Sequence, residues 1–440
     1  MENIISAINK TLWGAPMLIL LVGCGVYLTV RLKFFQILNV RVWLSETLGS
    51  LFVKKNKTAC GISPYQALSS ALASTIGSGN LIGVATAIAS GGAGAVFWMW
   101  VAAIFGMATK YAEVFLAVHF RKSKKDGYYG GPMYYIESGL GKGWRWLAVI
   151  FAVSGALACI GMGGMNQAIS IARVIDGWVK LPPLVVGGTL SFIAWASVSG
   201  GIGKLSKTVE KIVPVMALFF IGICVFIMLS DVKKTASALA EIFKAALTPR
   251  AVYGAMGGEM MRRAMRFGIA RGVFSNEAGL GSSPIVHAAA DAKSPVIQGY
   301  WGVLEVFVDT IVMCTVAAII IVSSGAGSGN LTGAELVTAA FGAHIGKFGG
   351  IFVGVSVILF ALTTILGWSY YGESCVFYLA GERESARKIY RIIYALSVCV
   401  GAMMSVEGIW ELSDMFNGMM MVPNLIAVFL LSGIVIKKSV

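Results

Sequence analysis

The sequence predicts an all-α polytopic membrane protein with about eleven transmembrane helices. Of its 440 residues, 57% are hydrophobic and only 13% are charged, whereas an ordinary soluble chain carries about 25% charged residues. The mean hydropathy is +0.79. Apolar runs recur along the whole chain, and many approach the length of about 20 residues that a helix needs to cross a bilayer. These observations exclude a set of soluble domains.

The basic residues mark the links between the apolar runs. The formal net charge is +14, but Lys and Arg are gathered mainly in short links, which is the pattern of the positive-inside rule. We therefore expect a lipid bilayer around the protein, no nucleic-acid partner and no obligate protein partner. The seven cysteines show no metal-ligand spacing and lie mostly within apolar runs, so we interpret them as packing residues.

The N-terminal unit, residues 1–61, is predicted to hold one extra transmembrane helix and a surface segment. The apolar run at residues 12–30 is longer than the core of a signal peptide, and Arg31 and Lys33 follow it. This indicates an uncleaved helix with its N-terminus outside. Residues 31–60 mix apolar and basic residues and are expected to form an amphipathic helix on the inner surface. The later basic residues of this segment are Arg41, Lys54, Lys55 and Lys57.

Ten further apolar runs form two groups of five. The first group occupies residues 62–230, with runs at about 62–89, 96–120, 146–171, 183–199 and 212–229. The second occupies residues 269–440, with runs at about 268–290, 296–322, 351–379, 389–404 and 419–436. The alternation of inside and outside links places residues 231–268 in an external loop. The terminal Lys437 and Lys438 place the C-terminus in the cytoplasm.

Two of these predicted helices are interrupted at mid-depth by glycine and polar residues. In the first, Gly77 and Gly79 flank Ser78. Glycine costs about 1 kcal/mol relative to alanine inside a helix, so this pair indicates local unwinding. The second interruption is FSNEAGLGS at residues 274–282. Broken backbone at this depth is tolerated only where it is buried or lines a water-filled cavity, and we predict that it forms a binding site.

The positions of the two breaks predict an inverted repeat. If the first helix is set aside, the breaks fall in the first and sixth of ten helices, which indicates two five-helix repeats. An odd number of helices inserts the second repeat upside down. Paired discontinuous helices in such repeats place the substrate and the coupling ions near the middle of the membrane.

Three motifs resemble those of the alanine/glycine:cation symporter family, also called sodium:alanine symporters. They are GSGN at residues 77–80, GPMYYIE at 131–137 and GVFSNEAGLGS at 272–282. The third is long and highly specific, and the resemblance covers essentially the whole chain. It implies a leucine-transporter-like core of five plus five helices. It also implies sodium-driven uptake of alanine or glycine across a prokaryotic plasma membrane.

An amino-acid zwitterion needs donors for its carboxylate and acceptors for its ammonium group. The N–H groups after the first break suit the carboxylate, and exposed carbonyls at the second break suit the ammonium. Gln167 is a possible side-chain contact, and Phe274 and Trp368 could limit the size of the substrate. The predicted substrate-binding residues are Thr75, Gly77, Ser78, Gly79, Asn80, Gln167, Phe274, Ser275, Asn276, Gly279 and Trp368. The alternatives are helix packing for the glycines and aromatics and an interhelical hydrogen bond for Gln167.

Sodium prefers oxygen ligands, and the adjacent Thr363 and Thr364 offer two hydroxyl groups. By resemblance to the shared fold, this pair joins three backbone carbonyls in a sodium site, those of Ala73, Ile76 and Phe360. In the alternative, each threonine bonds the carbonyl of its own preceding turn. A second ion near Thr75 and Asn80, in contact with the substrate carboxylate, is also considered.

The alternatives to sodium symport are a proton-coupled carrier, an enzyme and a channel. A proton-coupled carrier of the same fold would use Glu277 or Asp309, because ionisable groups within spans are functional candidates by default. Lys110 and Glu113 stand at helical spacing and are expected to pair. An enzyme is not expected, because the sequence shows neither a metal-ligand cluster nor a nucleophile beside a base. Nothing resembles the selectivity filter of a channel or the phosphate loop of a primary pump.

Overall fold

The computed structural model describes residue 5 and residues 8–9, 11–52, 61–124, 127–247, 254–404 and 406–439, and these are almost entirely helical. Lys54, Lys55 and Lys57 lie outside the described residues. By length and composition, six described helices could cross a membrane, or seven if the bent pair Pro64–Thr75 and Ser78–Gly91 counts as one span. The all-α membrane fold is therefore confirmed, whereas the count of eleven helices is not.

The N-terminal unit contains helix α1 (Ala15–Arg31), which packs against two long helices of the core. Three short segments follow it: α2 (Phe35–Leu38), α3 (Val40–Glu46) and the 3-10 turn Gly49–Phe52. Ile37, Leu38 and Val42 on these segments are exposed. Exposed apolar side chains beside basic residues suit a segment that lies on a membrane, and its placement at the inner surface stays a prediction.

The first group of core helices begins with a broken helix and includes a small hairpin. Its elements are α4 (Pro64–Thr75), the 3-10 turn Ser78–Asn80, α5 (Ile82–Gly91), α6 (Gly94–His119), β1 (Lys122–Lys124), β2 (Gly127–Tyr129), α7 (Pro132–Leu140), the 3-10 turn Lys142–Trp144, α8 (Arg145–Ala158), the π-helix Cys159–Met165, α9 (Asn166–Trp178), α10 (Pro183–Val198) and α11 (Gly201–Ser230). The strands β1 and β2 pair antiparallel. The helices α8 and α9 continue into each other through the π-helix.

The second group also contains a broken helix near its start. Its elements are α12 (Val232–Leu247), α13 (Gly254–Asn276), α14 (Pro284–Ala288), α15 (Pro295–Val306), the π-helix Phe307–Cys314, α16 (Thr315–Ser323), the 3-10 turn Ala326–Ser328, α17 (Gly333–Ile345), α18 (Lys347–Leu379), α19 (Glu384–Ala402) and α20 (Val406–Ser439). Within the stretch predicted as an external loop lie α12 and the first half of α13. The buried residues of α12, Ala238, Ile242 and Ala246, recur every four positions, which is the spacing of one helix face.

The two broken helices run in opposite directions, as an inverted repeat requires. Residues just before α4 and just after α14 form a bridge, in which the Ile62 N–H donates to the Ala289 carbonyl at 3.2 Å and the Asp291 N–H donates to the Ile62 carbonyl at 2.7 Å. Arg121 also donates to the Ala290 carbonyl at 2.5 Å. The start of the first broken helix and the end of the second therefore meet at the face that carries the β1–β2 hairpin, which we call the basic face.

Small residues bring the core helices close together. A Cβ at Gly268 on α13 would lie 2.2 Å from the Ala95 carbonyl oxygen on α6, and a Cβ at Gly367 on α18 would lie 2.1 Å from the Ser74 hydroxyl on α4. Close backbone approach is the usual mode of helix packing in membranes. These two crossings bring α13, the first half of the second broken helix, against α6 and bring α18 against α4.

Candidate substrate and ion site between the broken helices

The first break separates α4 from the 3-10 turn and α5, and the two halves are bent by 62°. Gly77 has an extended backbone (φ −130°, ψ −164°). Its N–H donates to Oδ1 of Asn80 at 2.9 Å, whereas in a continuous helix it would donate to the carbonyl of Ala73. A Cβ at Gly77 would lie 2.8 Å from Oγ1 of Thr364. The break therefore diverts a backbone donor from the helix and requires glycine where α18 approaches.

The second break separates α13 from α14. Glu277 has a φ of +55°, and Gly279 and Gly281 have φ values of +96° and +79°. Positive φ is uncommon for a residue other than glycine, and it persists where the surroundings hold it in place. The Glu277 carboxylate accepts a hydrogen bond from the Ser282 hydroxyl across the unwound segment. This bond explains how Glu277 holds the break in shape.

Asp309, in the π-helix Phe307–Cys314, joins the two breaks. Its Oδ1 accepts from Nδ2 of Asn80 at 2.7 Å, and its Oδ2 accepts from the Ser275 hydroxyl at 2.8 Å. The Thr310 hydroxyl donates to the same Oδ2 at 2.8 Å, and Asn276 donates to Thr310 at 3.0 Å. All five side chains are buried. Within the described residues, the carboxylate thus has neutral donors around it and no ion pair.

A small cavity of about 20 Å³ lies between the breaks. A larger cavity of about 720 Å³ shares Ser78, Gly79, Phe274 and Trp410 with it. The larger cavity is also lined by α17 and by the second half of α9, both of which lie away from the basic face. The site therefore adjoins a wide opening on the face opposite the hairpin.

Half of the predicted site residues line the small cavity: Thr75, Gly77, Ser78, Gly79, Gln167, Phe274, Ser275 and Thr364. The others lie outside that lining: Ala73, Ile76, Asn80, Asn276, Gly279, Phe360, Thr363 and Trp368. The Gly279 N–H donates to Oε1 of Glu113 at 3.1 Å, and its carbonyl accepts from Asn424 at 2.8 Å. Trp368 packs at Gly163, where a Cβ would lie 2.2 Å from the Trp368 Cβ. Asn80 and Asn276 connect to Asp309 as described above.

Thr363 and Thr364 on α18 form hydrogen bonds to a carbonyl of their own preceding turn, as expected if they do not bind sodium. The hydroxyls of Thr363 and Thr364 donate to the Phe360 carbonyl at 3.0 and 2.9 Å. Thr363 also contacts the sulfur of Met216 on α11, whereas Thr364 lies at the first break beside Gly77. A hydroxyl that donates to a carbonyl still has lone pairs to offer a cation. The bonds of the pair are therefore compatible with both interpretations.

Gln167 and its neighbour Asn166 line the small cavity from α9, which belongs to neither broken helix. The Ser78 hydroxyl donates to Oε1 of Gln167 at 3.2 Å, and Nε2 of Gln167 donates to the Met162 carbonyl at 3.2 Å. Asn166 is 1% exposed and lines the same cavity. Sequence reasoning missed Asn166, because adjacent residues on a regular α-helix point about 100° apart. Both residues stand in the first turn of α9, so the cavity spans adjacent faces of that helix.

The buried charged side chains near the site do not form the Lys110–Glu113 ion pair that their helical spacing predicted. Nζ of Lys110 lies 3.3 Å from Oε1 of Glu305 and donates to the Ser283 hydroxyl at 2.7 Å. Glu113, the partner expected from the sequence, instead accepts from Asn424 and from the Gly279 N–H. Contacts across helices thus replace the pair expected within α6.

The whole chain is similar to known transporters. The sodium:alanine symporter family matches residues 1–439. The chain is 43% identical over 443 residues to an uncharacterized transporter of Haemophilus influenzae, covering 100% of this chain and 95% of that one. It is 42% identical over 447 residues to the sodium/alanine symporter AgcS of Methanococcus maripaludis, covering 99% and 96%. It is 35% identical to the probable sodium/glutamine symporter GlnT of Bacillus subtilis, covering 99% and 89%.

Solved structures of transporters share the fold at low sequence identity. MhsT in complex with L-phenylalanine matches with a TM-score of 0.60 and 14% identity, covering 85% of this chain and 90% of that one. A sodium-coupled sialic acid symporter in its substrate-bound outward-open state matches with a TM-score of 0.54 and 14% identity, covering 94% and 87%. At this identity the likeness establishes the fold, which is the leucine-transporter-like fold that the sequence predicted.

Proposed function

Because the chain belongs to the sodium:alanine symporter family, we propose that it imports a small neutral amino acid, alanine or glycine, together with sodium by alternating access. Its family and fold are those of multi-pass transporters and not of enzymes. The observation that carries the proposal is the pair of broken helices, which place unwound backbone around one small cavity. Such backbone can bind a neutral zwitterion without a charged side chain.

The substrate binds between the two breaks. N–H groups of the turn at Ser78 and Gly79 face the carboxylate, and carbonyls near Phe274 and Ser275 accept from the ammonium group. The location of these four residues around the cavity supports this assignment. The cavity volume of about 20 Å³ is little more than the 10–15 Å³ that one water molecule requires. An amino acid is larger than this, so the adjoining end of the large cavity at Ser78, Gly79 and Phe274 would supply the rest of its space.

Sodium binds where α18 crosses the first break. Its ligands are the hydroxyls of Thr363 and Thr364 and three backbone carbonyls, those of Ala73, Ile76 and Phe360. Two observations support the assignment: the Gly77 N–H is diverted from Ala73, and Thr364 lies against Gly77. One sodium ion entering through 100 mV releases about 2.3 kcal/mol, and a tenfold gradient adds about 1.4 kcal/mol. Together these are sufficient to concentrate a neutral solute several hundredfold.

The orientation follows from the charges of the links. The basic face lies in the cytoplasm, the N-terminus outside and the C-terminus inside, in a prokaryotic plasma membrane. The positive-inside rule supports this assignment through Arg121, Lys122 and Lys124 on one link and Lys437 and Lys438 at the end of the chain. In this orientation the large cavity opens to the outside, from which the substrate would enter.

A second candidate is proton coupling through the same fold. The observation that favours it is Asp309, a buried carboxylate with neutral hydrogen-bond donors and no cationic partner among the described residues. A buried carboxylate without a cationic partner is a candidate to bind a coupling cation or a proton. Glu277 is the other candidate, although its bond to Ser282 favours a role in holding the break.

Uptake by proteoliposomes tests both candidates. We expect labelled alanine or glycine to accumulate under an inward sodium gradient and not under an inward gradient of choline. Equal uptake with and without the sodium gradient would reject sodium symport. The matched control imposes a pH gradient at equal sodium on both sides, with and without a protonophore. Uptake that follows the pH gradient and collapses with the protonophore would establish the proton-coupled carrier instead.

A further inference from the structure

We infer that Asn166 is a specificity-determining residue that hydrogen-bonds the zwitterionic head of the transported amino acid, an inference that rests on the proposed transport function. Asn166 is 1% exposed and lines the small cavity. Neither the oxygen nor the nitrogen of its side-chain amide has a hydrogen-bond partner among the described residues. Gln167, in contrast, is bonded at both ends of its amide.

A structural role does not account for the side chain of Asn166. Buried amide groups are normally paired, and an unpaired buried donor or acceptor carries its full desolvation penalty. Leucine has nearly the same shape and would fill this position without that penalty. An asparagine with both ends unpaired is therefore unfavourable for the ligand-free protein, and a bound ligand is what would satisfy it.

The chemistry of the cavity indicates which ligand groups Asn166 meets. Ser78 and Gly79 of the first break form one wall, Ser275 of the second break forms another, and Asn166 stands on a third. A side-chain amide has one acceptor oxygen and two N–H donors. Its Oδ1 can accept from the ammonium group while its Nδ2 donates to the carboxylate. The ligand class is a primary α-amino acid, and methylation of its nitrogen removes one of the donors.

The local helix geometry supports this role. The π-helix Cys159–Met165 ends immediately before Asn166, and π-helical turns often occur at functional sites. Asn166 and Gln167 both line the cavity, although neighbours on a regular α-helix face different directions. Gln167 positions the Ser78 hydroxyl, which leaves the amide of Asn166 for the substrate.

The test is the isosteric substitution Asn166→Leu, with Asn166→Ala as a second variant and Gln167→Leu as the comparison for stability alone. We expect the concentration of amino acid for half-maximal sodium-driven uptake to rise about tenfold or more, because hydrogen bonds to charged groups are lost. The thermal unfolding temperature of ligand-free Asn166→Leu should be unchanged or higher, because an unpaired amide is removed. Gln167→Leu should unfold at a lower temperature, because it breaks bonds that are present.

Discrimination between glycine and N-methylglycine supplies a readout that a structural role would not move. We expect the wild-type protein to prefer glycine, and the preference to shrink at least severalfold in Asn166→Leu and Asn166→Ala. An unchanged half-maximal concentration or unchanged discrimination would overturn the inference. A lower unfolding temperature of ligand-free Asn166→Leu would also overturn it, because it would reveal a structural partner. If the wild type transports no amino acid at all, the proposed function fails; if only the Asn166 results fail, this inference fails alone.

Discussion

At the scale of single residues, the glycines of the first break illustrate what the sequence can predict. Both Gly77 and Gly79 suggested unwinding, and the helix is indeed broken there. Of the two, Gly77 is the one that packing requires, since its Cβ would meet Thr364, whereas a Cβ at Gly79 would meet no described residue within 4 Å. The sequence could not separate these two reasons for glycine, because Thr364 is distant in the chain. Asn166 was missed for a similar reason, since its unpaired amide is evident only once the surrounding helices are in place.

Gly79→Ala should narrow the site without unfolding it. Gly79 lines both cavities and has no positive φ, so the added methyl group fits the backbone and projects into free space. We expect alanine uptake to weaken about threefold to tenfold more than glycine uptake, because one methyl group in a closed site is worth about 1 kcal/mol. Competition between the two amino acids for uptake measures this ratio. Gly83→Ala, whose methyl group also meets none of the residues that the structure describes within 4 Å, is the control and should leave the ratio unchanged.

At the scale of elements, the basic residues of the β1–β2 hairpin form ion pairs with a carboxylate that is distant in the sequence. The sequence marks residues 121–125 only as an inside link. In the structure, Nζ of Lys122 and Nζ of Lys124 each lie 2.7 Å from a carboxylate oxygen of Glu382, in the link between α18 and α19. Because that residue is about 260 positions away in the chain, no local pattern could reveal the contact. These ion pairs join the hairpin of the first repeat to the α18–α19 link of the second repeat at the basic face.

Glu382→Gln should release the hairpin. Exposed ion pairs contribute about 0.2–1 kcal/mol each, so losing both should speed tryptic cleavage at Lys122 and Lys124 about twofold to tenfold in purified protein. The matched control is Glu384→Gln, which removes the nearby pair with Arg387 and should leave the cleavage rate unchanged. Equal rates in Glu382→Gln and wild type would show that the ion pairs do not hold the hairpin.

The protection of the hairpin from trypsin should not depend on pH near neutrality. Partial burial works to raise the pKa of Glu382, but hydrogen bonds and attraction from Lys122 and Lys124 outweigh it and lower the pKa below its usual value. A lowered pKa means that the ion pairs stabilise the fold above the ordinary glutamate pKa of about 4.3 and are lost as the pH falls through the lowered value. Cleavage rates corrected for trypsin activity should therefore be constant between about pH 6 and 8.

At the scale of the whole molecule, the repeat could be predicted from the placement of two breaks, whereas the asymmetry of its openings could not. The matched breaks predicted the inverted arrangement because each leaves a strong compositional mark in an apolar run. Which face is open depends on contacts between distant segments. Near the basic face, Ile62 bonds to Ala289 and Asp291, and the hairpin is fastened to Glu382, while the opposite face carries the large cavity. This asymmetry is what one state of the proposed alternating-access cycle requires.

Access from outside the cell tests that state together with the proposed orientation. Ser170 on α9 lines the large cavity, and Ser123 on β1 is exposed. In a background with Cys60 and Cys399 replaced by alanine, Ser170→Cys should react in intact cells with a thiol reagent that does not cross membranes. Ser123→Cys should react only after the cells are opened. Sodium with alanine should slow the labelling of Ser170→Cys severalfold, because the substrate favours closure of the cavity through its differential affinity for the two states. Labelling of Ser123→Cys but not Ser170→Cys in intact cells would reverse the orientation.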